Sequence, residues 1–171
     1  QWAWHAQPVS PSASGQSQFL QRKWLIWGDQ GGVGPALAQR FRSQGCPCLL
    51  VQTEMALLAL DQEKVRSIIS QFKLEHGAIT DVLYLWGLDA AALPVMQENQ
   101  LKQETTGLCG GLLNLVQNLL KETWQSPCHL WIVTQNSQHV LLQDKVTQAV
   151  TAMLWGMGRT FHLEIPELHC S

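Results

Sequence analysis

Charge is scarce in this sequence. Asp, Glu, Lys and Arg make up only 14% of its 171 residues, where soluble domains typically carry roughly 25%. So thin a charge suits a fragment whose neighbours cover part of its surface. The 11 basic residues are outnumbered by 13 acidic ones, for a formal net charge of -2. That balance excludes nucleic acid as an expected partner, because phosphate binding needs a basic excess. No apolar run reaches the roughly 18–20 residues that span a bilayer, so no membrane segment is expected. A signal-peptide pattern is also missing, and the chain opens on Gln1, which reads as a piece of something longer. The five cysteines, Cys46, Cys48, Cys109, Cys128 and Cys170, are odd in number and scattered, a poor disulfide framework. Only Cys46 and Cys48 are close. One intervening residue does not match zinc-knuckle spacing, and no second pair completes a tetrahedron. Reduced thiols in a cytoplasmic protein are the expectation.

What is present is apolar and rhythmic. Hydrophobic residues make up 46% of the chain. Residues 1–9 (QWAWHAQPV) alternate as a short strand does, and 10–18 (SPSASGQSQ) read as a polar linker. WLIWG (24–28), CLLVQ (48–52), DVLYLWG (81–87) and CHLWIVTQ (128–135) are short apolar runs with the look of buried strands. Between them the spacing predicts helices over 34–44, 61–75 and 104–123, and a last one over 145–163. Pro35 suits the first turn of the first helix, and Asp61 is placed to cap the second. Residues 88–103, broken by Pro94, read as a loop with a short helical turn, and QHVLL (138–142) as a turn or short edge strand. Gly107, Gly110 and Gly111 weaken the third helix unless they let it pack closely on a sheet. Continuous apolar strands alternating with helices predict an α/β fold with helices on both faces. The expected form is a truncated Rossmann-like three-layer arrangement around a short, mostly parallel sheet. Residues 1–18 supply a strand and linker, and 19–171 the Rossmann-like subdomain.

The segment with most chemical promise is Gly28-Asp29-Gln30-Gly31-Gly32-Val33-Gly34, between the first strand and its helix. A dinucleotide fold places pyrophosphate there, on the helix N-terminus. Gly28, Gly32 and Gly34 keep the G-x-x-x-G-x-G spacing of short-chain dehydrogenases, and Glu54 lies where an acid could hold a ribose. The reduction chemistry does not follow. It needs a tyrosine to protonate an alkoxide and a lysine about one helical turn later. Tyr84 is the single tyrosine, it sits in an apolar strand, and four residues on stands Leu88. Asp29 also brings a carboxylate into the phosphate loop, where it opposes a pyrophosphate. The glycines then serve turn geometry and close helix packing instead.

Other constellations carry less. His5, His76, His129, His139, His162 and His169 have no zinc-type grouping, and Ser43, Ser70 and Ser137 sit in no nucleophile elbow. The eight tryptophans fall mostly on strand or helix faces, as core and interface residues do. The sequence therefore yields no catalytic, cofactor-binding or metal residues.

Two segments carry a family resemblance: WLIWGDQGGVGPALAQRF (24–41) and AVTAMLWGMGRTFHLEIPELHCS (149–171). The second resembles the "LWGLGR…LEHPEL" signature of polyketide synthase ketoreductases, here Leu154 to Arg159 and then Leu163 to Leu168, with Ile165 in place of the usual histidine. HLWIVTQNSQHV (129–140) is similar to the family's preceding strand, and QWAWHAQPV looks like its opening one. The resemblance implies the family's N-terminal subdomain, which is structural and binds no NADPH. In that family a separate catalytic subdomain carries the nucleotide loop and the Lys, Ser and Tyr that reduce a β-ketoacyl chain on an acyl carrier protein. The expected role is to brace that subdomain, or a neighbouring domain of the module such as an enoylreductase, methyltransferase or dehydratase. The alternative is an NADPH-binding, short-chain-dehydrogenase-like reductase that uses Gly28, Gly32, Gly34 and Glu54.

Overall fold

Short runs of leucine, β-branched and aromatic residues build the sheet. The computed structural model describes residues 19–52, 61–91, 97–122, 127–139 and 143–171. Strand β1 is Trp24–Trp27, followed by helix α1, Val33–Ser43. Strand β2 is Cys48–Val51, and helix α2 is Gln62–His76. Asp61 caps α2 as expected, its side chain accepting from the Lys64 N–H at 2.9 Å. Strand β3, Asp81–Tyr84, runs through a 3-10 turn at Trp86–Leu88 and on to the long helix α3, Glu98–Leu120. Strand β4 is Cys128–Ile132, helix α4 is Ala152–Glu164, and strand β5 is Leu168–Cys170.

The five strands form one parallel sheet in the order β2-β1-β3-β4-β5. The chain steps from β1 out to β2, then crosses back to β3 on the other side of β1. Strand order therefore reverses between β1 and β3, which makes the carboxyl ends of these two strands the switch point of the fold. Both sheet faces are apolar, as a parallel sheet requires. On one face Ala38 and Phe41 of α1 pack with Trp24, Ile26, Leu83 and Leu85. On the other, α2, α3 and α4 bury Ile69, Phe72, Leu112, Leu115, Leu154 and Phe161 against Leu25, Val82, Tyr84 and Leu130. The α/β, Rossmann-like expectation holds, and every described strand pairing is parallel.

Several element boundaries differ from those expected. Helix α3 starts at Glu98 rather than 104, because the Gln97 N–H donates to the Gln100 side chain at 2.9 Å and caps the added turns. Helix α4 starts at Ala152 rather than 145. The Thr147 and Gln148 N–H groups instead bind the Asn136 carbonyl at 3.1 and 3.2 Å, and a 3-10 turn at Ala149–Thr151 leads into the helix. Strand β3 ends at Tyr84, short of the expected 87. Past the last expected helix, Leu168–Cys170 adds a strand that pairs with β4. The expected strand at 1–9, the linker at 10–18, Glu54, Pro94 and residues 140–142 of the expected edge segment lie outside the described residues.

Candidate functional site

The glycine loop stands at the switch point, where a dinucleotide fold would hold its ligand. Its glycines serve the backbone. Gly32 has φ +95°, a left-handed conformation that favours glycine. A Cβ at Gly34 would lie 2.9 Å from the Cα of Gly28, so the start of α1 can approach the end of β1 only with glycine at this position. The expectation of turn geometry and close packing is met at both.

The loop's N–H groups are engaged by carboxylates of the chain itself. Gly34 N–H donates to Asp29 Oδ1 at 2.6 Å, and Val33 N–H to Asp29 Oδ2 at 3.0 Å. Asp29 is only 1% exposed. Gln30 N–H donates to both oxygens of Asp89, each at 2.9 Å. Asp89 follows the 3-10 turn after β3, so the second carboxylate comes from the other strand of the switch point. Desolvation pushes the Asp89 carboxyl above the usual carboxylate range; the Asp29 charge pushes the same way, and the Gln30 and Gly31 N–H groups oppose it. Glu104, on α3, is also raised, first by burial and then by the charge of Asp89. The site is thus acidic, and its first-turn amides already have anionic partners.

Sequence reasoning found Asp29 and missed Asp89 and Glu104. Asp89 had a usable signal, an acid just beyond the strand that flanks β1. Glu104 had none, because its approach to Asp89 depends on α3 starting at Glu98.

Tyr84 is fully buried, and its hydroxyl donates to the Leu108 carbonyl at 2.7 Å. Burial drives its pKa well above the ordinary tyrosine value. Leu88 lies in the 3-10 turn, so no lysine stands four residues on. The remaining candidates stay apart. His129 and His169 face each other across β4 and β5 with ring centroids 5.0 Å apart, yet no group of three metal-ligating side chains occurs among the described residues. Ser43 donates to the Arg40 carbonyl, and Ser137 pairs with Thr134. No described helix is long and apolar enough to cross a membrane. Trp24, Trp27 and Trp86 are core residues, whereas Trp155 is 41% exposed on α4.

No family model matches the chain. Its sequence is similar to the pikromycin polyketide synthase component PikAII of Streptomyces venezuelae, 30% identical over 148 residues, which cover 86% of this chain and 4% of that protein. It is similar in sequence and fold to a C2-type ketoreductase from a modular polyketide synthase: 28% identity, TM-score 0.64, covering 85% of this chain and 30% of that one. The chain is a polyketide synthase ketoreductase-related domain. A further fold likeness is to a structure holding the adenylation, ketoreductase and pseudo-Asub domains of a keto acid-selecting nonribosomal peptide synthetase module. There the TM-score is 0.76 over 98% of this chain and 14% of that one, at 11% identity, which shows fold alone. The ketoreductase-related domain thus spans a small part of the relatives it matches. Its signature segment builds the fold: Leu154, Phe161 and Leu168 are buried, and a Cβ on Gly158 would lie 3.2 Å from Ile132 of β4 and 3.4 Å from Cys170 of β5.

Proposed function

We propose that this domain is the non-catalytic, structural part of a polyketide synthase ketoreductase region, bracing a separate NADPH-dependent subdomain that reduces β-ketoacyl chains. The observation that carries the reading is Tyr84. The sole tyrosine is spent on a hydrogen bond inside the core, where its hydroxyl reaches no substrate. A general acid must come within hydrogen-bond reach of the reacting oxygen. The acidic glycine loop supports the same reading for the cofactor, since Asp29 and Asp89 occupy amides that a pyrophosphate would use.

The surface supports contact with adjacent domains of the same synthase. Met153, Trp155 and Leu163 of α4 are 36%, 41% and 80% exposed, apolar side chains of the kind a neighbouring domain covers. An acyl carrier protein would meet the module through the catalytic subdomain rather than here. Five free thiols suit the reducing cytoplasm. Titrating NADPH against the tryptophan fluorescence of the purified chain tests the reading. A flat titration is expected, and saturable binding in the micromolar range overturns it.

A further inference from the structure

Strands β4 and β5 bring together two histidines that stand far apart in the sequence. The parallel register pairs His129 directly with His169, so both side chains project from the same face of the sheet. Trp131, two residues along β4, shares that face and stacks on His129 with ring centroids 6.1 Å apart. The His129 and His169 rings are 5.0 Å apart between centroids and inclined by 54°. Among the described residues, neither ring has a hydrogen bond or an ion pair. His129 is half-buried, and His169 is exposed. The pair lies in the row of Trp24 and Asp81, toward the amino ends of the strands, away from the glycine loop at their carboxyl ends.

We propose that His129 and His169 form a two-histidine site for one divalent transition metal ion of the nickel, copper and zinc group. Imidazole nitrogens suit these ions, whereas magnesium and calcium call for oxygen ligands. The spacing fits a shared ion. A ligating nitrogen about 2.0–2.1 Å from the metal puts its ring centroid about 3.2 Å away, so two such rings stand about 4.5–5.2 Å apart at the roughly 90–110° angles of square-planar and tetrahedral sites. The observed 5.0 Å falls inside that range. Rotation about Cβ–Cγ turns the nitrogens toward a common point and hardly moves the centroids. Strand pairing fixes both backbones and Trp131 flanks one ring, so binding costs little side-chain freedom. Water completes the shell on the exposed side of His169. Strand β5 has three residues and is the last strand of the sheet, and an ion held by both histidines clasps it to β4. A ligand that binds the folded chain alone stabilises it by mass action.

The site is tested by titrating nickel chloride into the untagged chain by calorimetry, with the thiols kept reduced. The native chain should bind one nickel ion saturably, and magnesium chloride should give no such isotherm. His129→Gln and His169→Gln should each weaken nickel binding at least tenfold. His162→Gln, at an exposed histidine of α4, should leave it unchanged. A native chain that binds no nickel overturns the proposal, as does an unaltered affinity in either folded strand variant. Circular dichroism reports the fold of each variant. Should His129→Gln fail to fold, NMR of the native chain decides in its place. Substoichiometric nickel should broaden the ring protons of His129 and His169 together, before those of any other histidine; broadening of one alone overturns the shared site. Nickel should also raise the thermal midpoint of the native chain and leave that of His169→Gln where it was. An equal rise in both overturns the clasp.

Discussion

At Gly111 the side chain is missing because there is no room for one. A Cβ there would overlap the ring of Trp86 and lie 3.0 Å from the Tyr84 hydroxyl. The missing atom lets α3 settle onto β3, so that Tyr84 can reach the Leu108 carbonyl one turn earlier along the helix. Glycine is otherwise a poor helix residue, about 1 kcal/mol worse than alanine in a helix interior. The two effects oppose each other at this position, and the overlap with a fully packed indole is the larger. Gly111→Ala should therefore destabilise the fold by about 1–3 kcal/mol, the usual cost of overpacking a well-filled core. A urea unfolding midpoint unchanged or raised by the substitution would refute this account.

Between elements, the amino ends of the strands are tied by one buried carboxylate. Asp81 opens β3 at 1% exposure and accepts from Arg22 at 2.6 Å, from the Trp131 indole of β4 at 3.0 Å and from Thr80 at 2.9 Å. The Arg22 side chain is 33% exposed, so solvent screens part of the ion pair and the hydrogen bonds carry more of the effect. Asp81→Asn removes the charge and replaces one acceptor oxygen by an NH2 donor facing a donor of the network, and should cost about 1–3 kcal/mol. The thermal midpoint should fall by several degrees; an unshifted one refutes the role. None of this network was legible beforehand, because it joins residues about fifty positions apart. The rhythm of strands and helices was legible, since each apolar run or stripe is local. Helix starts were not: α3 gains nearly two turns behind the cap at Gln97, and α4 loses about two to the Asn136 carbonyl and the 3-10 turn. Strand β5 escaped notice because three residues carry no period; only its pairing with β4 makes it a strand. The site divided the same way. Asp29 could be read from within its own loop, Asp89 offered a signal as an acid just past its strand, and Glu104 required the topology.

Across the whole molecule no thiol is fully exposed: Cys46, Cys48 and Cys128 are buried, and Cys109 and Cys170 are half-buried. Cys128 is wholly buried at the start of β4, and burial pushes its thiol up to about 12. The thiols of Cys48 and Cys170 are raised to about 11, again first by burial. An unfolded chain returns each to its ordinary value near 9. Between these values the native state holds protons that the unfolded state has released, so stability falls as pH rises. The sign is opposite to that of a salt-bridged carboxylate. The thiols favour the fold fully below pH 9, and that contribution drains away up to about pH 11–12. For Cys128 alone the loss between pH 9 and pH 10 is about 1 kcal/mol. Unfolding midpoints in urea should therefore be lower at pH 10 than at pH 8. Cys128→Ala, destabilised at pH 8 by the cavity it leaves, should show a smaller further drop at pH 10. An equal drop in both proteins would mean that other groups govern the alkaline limit of the fold.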